Sequence, residues 1–125
     1  MPIMNRADPS TDQQTLTLQQ VLDLAMRHHT AGDFPKAEKI YQQILDADPN
    51  QIVALHLLGV VCYQIGDNVR AVDLISKALK ISPNFAEAHN NLGVALLGLR
   101  KLDEAAISHQ KALDIIPNFA EAHNN

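Results

Sequence analysis

The residues that invite a chemical reading are six histidines, one cysteine and a scatter of carboxylates. His28 and His29 are adjacent, which on a helix sets them about 100° apart, a poor arrangement for sharing one ion. No His-x-x-x-His pair encloses a glutamate, so the zinc-protease pattern is missing. Cys62 stands alone and makes neither an internal disulfide nor a multi-thiolate site; on an apolar helical stripe it reads as packing. Gly-rich phosphate cradles and the Gly-x-Ser-x-Gly elbow are absent too. Catalytic residues, a cofactor and a metal site are therefore not expected.

Composition narrows the frame that holds these groups. The chain has 125 residues, 46% hydrophobic and 19% charged, enough for a core and too apolar for disorder throughout. Aromatics are 4% and tryptophan is absent, which favours Ala- and Leu-packed helices over strands. Ten Lys and Arg against fourteen Asp and Glu give a net charge of −4, which argues against nucleic-acid and anionic-membrane partners. No run approaches the roughly 18 apolar residues of a membrane span, and the start has no apolar leader, so the chain reads as cytoplasmic.

Self-similarity decides the organisation. Pro49, Pro83 and Pro117, each followed by asparagine, recur at intervals of 34 residues, as do Ala37, Ala71 and Ala105. Leu24, Leu58 and Leu92 keep the same period, each before a small residue: Ala25, Gly59 or Gly93. Pro-Asn-Phe-Ala-Glu-Ala-His-Asn-Asn at 83–91 returns unchanged at 117–125. The expected frame is a polar leader over 1–17, units at 18–51, 52–85 and 86–119, and the opening of a fourth at 120–125. Such a pattern reads as a piece of a longer array. Each unit should hold an inner helix A, a tight turn and an outer helix B. In the second unit Leu55, Leu58, Gly59 and Cys62 make one stripe, with Val53, Leu57, Val60 and Ile65 covering much of the rest. Its second helix is amphipathic, with Val72, Ile75, Ala78 and Leu79 against Arg70, Asp73, Ser76, Lys77 and Lys80. Proline after each B helix ends it. Gly32 and Gly66 suit a left-handed turn, so Arg100 in the same place predicts the least regular of the three. Two capping-box patterns, Ser10 to Gln13 and Thr17 to Gln20, offer starts for the first helix, and the earlier is preferred.

The 34-residue helix-turn-helix period, Leu-small on helix A, Gly-Asp in the turn, Ala early in helix B and Pro at its end resemble the tetratricopeptide repeat (TPR). That resemblance implies an all-α, right-handed superhelical solenoid of antiparallel helix pairs whose concave groove takes a peptide or protein segment. Carried onto this chain, the groove is Gln19, Leu22, Met26 and His29; Val53, His56, Val60 and Tyr63; and Glu87, Asn90, Val94 and Leu97. Leu22, Val53 and Val94 equally suit packing against the neighbouring unit. The basic clamp with which some chaperone-serving members hold a C-terminal carboxylate is disfavoured, since Leu22, Val53 or Glu87 stands in its places. Leu-His-Leu-Leu-Gly at 55–59 and Ala-His-Asn-Asn-Leu-Gly at 88–93 look like the arrays before the catalytic domain of bacterial relatives of O-linked N-acetylglucosamine transferases. There an asparagine in each helix A grips a peptide backbone. Asn91 and Asn125 match that column; Asp23 and Leu57 do not, and Asn91 equally suits bridging two helices. The resulting expectation is a non-catalytic protein-interaction scaffold. Its alternatives are the substrate-recruiting front of a glycosyltransferase, or a self-assembly module. For the last, Ala105, Ala106, Ala112, Leu113 and Ile116 should face outward at an uncapped C-terminal end.

Overall fold

A computed structural model describes residues 15–117, and these form six helices in three helix–turn–helix pairs. They are α1 (Leu18–Thr30) and α2 (Phe34–Ala47), α3 (Ile52–Gln64) and α4 (Asn68–Ile81), and α5 (Ala86–Gly98) and α6 (Leu102–Ile115). Each helix packs against the next along the chain, and α3 also touches α5, so the odd-numbered A helices form one layer and the even-numbered B helices another. No strand occurs among the described residues; the fold is an all-α repeat array.

Local chemistry sets the helix ends. Thr17 caps α1 reciprocally: its hydroxyl accepts from the Gln20 amide at 3.1 Å, and the Gln20 side chain accepts from the Thr17 amide at 2.9 Å. Residues 15–17 are not helical, so the cap lies at the later of the two expected starts. The earlier start at Ser10 lies outside the described residues, as does the opening of a fourth unit at 120–125. Asp33 and Asp67 cap α2 and α4 by accepting from Lys36 and Arg70 amides; Lys101 supplies no such bond to α6.

The three tight turns are nearly superimposable in their bonding, which corrects the expectation about Arg100. Gly32 donates to the His29 carbonyl at 3.0 Å and Asp33 to that of His28 at 2.8 Å. Gly66 and Asp67 repeat this at 3.1 and 2.8 Å, and Arg100 and Lys101 at 2.9 and 3.0 Å. Arg100 reaches the geometry by adopting φ +64°, where its Cβ is crowded, beside glycines at +82° and +93°. The irregularity is conformational strain at one residue, not a broken turn.

The core runs along the array. Tyr41, Leu58, Val61, Cys62 and Ile75 are its largest fully buried side chains, and α3, apolar on nearly all sides, buries eight residues against four in α4. Close approach needs the small residues: a Cβ on Gly59 would stand 2.5 Å from Ile75 Cγ1, and one on Gly93 2.5 Å from the His109 ring. The alanines of α6 divide. Ala105 and Ala112 are buried within their own unit, correcting their expected outward placement, whereas Ala106 and Ile116 are exposed and Leu113 half-buried. On the B layer, Arg70 of α4 donates to Glu38 at 2.5 Å and Gln42 at 3.2 Å on α2. Both ion-pair partners are about one-third exposed, so this link contributes under about 1 kcal/mol.

Candidate functional site

On the A layer, polar side chains tie neighbouring helices together at their open face. Asn91 of α5 sits between two residues of α3: its amide nitrogen lies 2.8 Å from His56 Nε2, and the Tyr63 hydroxyl donates to its carbonyl oxygen at 3.1 Å. Because the amide nitrogen can only donate, Nε2 accepts, so His56 is neutral with its proton on Nδ1. Burial enforces this, pushing His56 down from 6.5 to about 4, and the Phe85 ring packs edge-on at 4.6 Å between centroids. One unit earlier, His29 Nε2 of α1 donates to Gln64 Oε1 of α3 at 2.6 Å, its ring edge-on to Phe34 and Tyr41.

The expected groove residues do not all reach the surface. Leu22, His56 and Asn90, at the fifth position of each A helix, are 4%, 3% and 2% exposed. Asn90 turns inward, its carbonyl accepting from His109 Nδ1 at 3.1 Å. Val60 is buried, while Val53, Val94, His29 and Tyr63 are half-buried, and Gln19, Met26, Glu87 and Leu97 are exposed. The sixth and thirteenth positions, absent from the expected set except for Asn91, are open. Asp23 is exposed and Leu57 and Asn91 half-buried at the sixth; Thr30, Gln64 and Gly98 are exposed at the thirteenth. The accessible residues thus lie at positions two, six, nine and thirteen, with Val60 at position nine of α3 buried and Leu97 at position twelve of α5 exposed as well. Val53, Leu57, Val94 and Leu97 make them apolar in the middle, with an amide at Asn91.

The remaining reactive types are structural. His89 donates from Nε2 to the Pro83 carbonyl at 2.7 Å, which pins the start of α5 to the end of the preceding unit. His109, buried under Gly93, is held below its usual pKa by burial. Cys62 is fully buried, and burial pushes its thiol up, away from the reactive thiolate. Among the described residues no group of His, Cys, Asp and Glu is arranged to hold a metal, and no helix is long and apolar enough to cross a membrane.

A two-layer stack of helix pairs repeated along the chain defines the helical-repeat class of folds. Within that class the chain belongs to the tetratricopeptide repeat family, whose models match residues 28–90 and 82–120. No curated protein matches the sequence. Among solved structures it is similar to the first TPR of Spaghetti (RPAP3) bound to the HSP90 peptide SRMEEVD, at TM-score 0.80 and 23% identity over 83% of this chain and 82% of that one. MamA from Desulfovibrio magneticus RS-1 matches at TM-score 0.77 and 24% identity over 84% of this chain and 59% of that one. A mutant O-GlcNAc transferase of Thermobaculum terrenum matches at TM-score 0.82 and 27% identity, over 87% of this chain but only 22% of the transferase.

Proposed function

We propose that the A-helix face is a docking groove for an extended peptide or protein segment, and that the chain is a non-catalytic, cytoplasmic interaction scaffold. The observation that carries this reading is the half-exposed apolar strip of Val53, Leu57, Val94 and Leu97 beside the Asn91 amide. Such a surface holds a ligand by apolar contact and satisfies its main chain with amide bonds. At the level of the fold, the peptide held by the RPAP3 repeat supports it. Exposed or half-buried on this face, Gln19, Met26, Val53, Tyr63, Glu87, Asn91, Val94 and Leu97 line the proposed groove. Leu22, Val60, His56 and Asn90 act beneath them, and His29 orients Gln64.

Capture from a displayed peptide library tests this. Leu97→Glu, at a side chain 40% exposed, should cut capture about tenfold or more with an unchanged unfolding midpoint, whereas Lys80→Glu on the B layer should leave capture intact. Equal capture by all three proteins would move binding off the A-helix face.

A second reading follows from the transferase likeness: the array recruits substrate for a glycosyltransferase-type enzyme. Asn91 favours it, since its bonds to His56 and Tyr63 leave one amide N–H and one carbonyl lone pair for a peptide backbone. A parent reading frame holding only repeats would exclude this version. A third reading, self-assembly, rests on the exposed outer stripe of α6 formed by Leu102, Ala106 and Gln110.

A further inference from the structure

The two interfaces between units repeat the same positions but not the same chemistry. Where α2 and α4 flank α3, the cleft between them is lined by Leu55 and Leu74, both members of the apolar core. One unit further on, the equivalent positions hold His89 of α5 and Ser108 of α6, only 8% and 6% exposed. The protein does not satisfy either side chain in full. His89 donates its Nε2 proton to Pro83, which leaves Nδ1 a buried acceptor without a partner, and the Ser108 hydroxyl forms no hydrogen bond among the described residues. Serine in place of leucine also leaves more room. The cleft lined by these two residues with Leu79, Leu92, Lys111 and Ile115 measures about 510 Å³, against about 310 Å³ for its counterpart at Leu55 and Leu74. At its edge Lys111 and Asp114, exposed and one turn apart on α6, make no ion pair; Asp114 accepts from Gln110 Nε2 at 2.9 Å. Unpartnered buried polar atoms cost stability, and the leucines of the first interface avoid that cost, so the His89 and Ser108 pair calls for a group that completes its bonds.

We propose that this cleft between α4 and α6 binds a small aliphatic zwitterion, with the chemistry of a branched-chain α-amino acid. The ligand's side chain packs on Leu79, Leu92 and Ile115, as expected of a pocket that is mostly apolar with a few placed polar groups. Its carboxylate accepts from the Ser108 hydroxyl and faces Lys111. Its ammonium faces Asp114 and, on a small opening of the cleft, donates to His89 Nδ1, which the walls cover in the empty site. A ligand carrying only one of the two charged groups leaves either the Ser108 hydroxyl or the His89 acceptor unpaired, and is disfavoured for that reason. The cleft lies between B helices, away from the A-helix docking face, and does not depend on it.

The test titrates the isotope-labelled 125-residue chain with L-leucine, isocaproate, which lacks the amine, and isoamylamine, which lacks the carboxylate, following backbone amide shifts by NMR. Saturable shifts should be confined to residues around 89–92 and 108–115, and leucine should bind about fivefold or more tighter than either analogue. A His89→Leu, Ser108→Leu double variant copies the Leu55 and Leu74 arrangement; leucine should bind it about tenfold or more weakly while its thermal midpoint stays the same or rises. Should that variant fail to fold, Ser108→Ala, which removes only the hydroxyl, should weaken leucine about threefold or more. No saturable shift with leucine, shifts centred on another face, or undiminished binding to the variants overturns the site. An analogue that binds as tightly as leucine overturns the zwitterion as its ligand.

Discussion

His56 couples folding to pH through one hydrogen bond. In the unfolded chain an imidazole takes a proton near pH 6.5, while burial holds native His56 neutral down to about 4. Between those values the unfolded state binds more protons, so stability is full above about pH 6.5 and falls as pH drops toward 4, by up to about 3 kcal/mol. Protonation also puts an N–H against the Asn91 amide, which must turn and give up its bond from Tyr63. Urea unfolding between pH 7 and 4.5 should show this loss, and His56→Gln should flatten much of it; the residual slope has the same sign, since His109 is also lowered by burial. An unchanged profile in the variant would assign the pH dependence elsewhere. Residue types were legible in the sequence here, but the orientation of the stripe was not. Placing the groove at helix positions two, five, nine and twelve includes Asn90 and Leu22, which the adjoining helices bury. Rotating to positions six and thirteen reaches Asp23, Leu57 and Gln64, and a stepwise i, i+4, i+7, i+11 reading would have found them. The periodic pattern of types cannot itself say which of two adjacent columns the neighbouring helix covers, because both columns mix apolar and polar residues.

At the scale of the element, the 34-residue period and the two kinds of helix it contains were readable because each rests on local signals: apolar stripes, an N-cap and a terminating proline. The third turn shows where local propensity is overridden. Arg100 breaks the Gly pattern, yet the packing of α5 on α6 imposes the same backbone bonds and leaves the residue at φ +64°. Holding a side chain there costs about 1–2 kcal/mol, from which the extra unfolded-state freedom of glycine subtracts about 0.5–1 kcal/mol. Because Arg100 is exposed, Arg100→Gly removes little contact and should raise stability by about 0.5–1 kcal/mol, seen as a higher urea midpoint at constant slope. A lower midpoint would mean that the guanidinium makes a contribution larger than the strain.

At the scale of the whole molecule, comparing equivalent helices shows what an added neighbour covers. Phe34, Glu38, Gln42 and Leu45 on α2, and Asn68, Val72, Ser76 and Leu79 on α4, are half-buried or buried where the following unit packs. The same stripe on α6 is Leu102, Ala106, Gln110 and Leu113, spaced i, i+4, i+8 and i+11, and its first three residues are exposed, Leu102 to 61%. A solenoid gains stability from each unit-to-unit contact, so a bare stripe of this kind favours stacking on a further surface of complementary shape. The self-assembly reading takes that surface to be a second copy of the chain. Sedimentation velocity should therefore show reversible, concentration-dependent association, and Ala106→Arg, which sets a large cation mid-stripe at an already exposed position, should return the chain to monomer with its helix content unchanged. Association that persists in the variant would place the contact on another face, and a monomer at every concentration would remove self-assembly from the readings of this array.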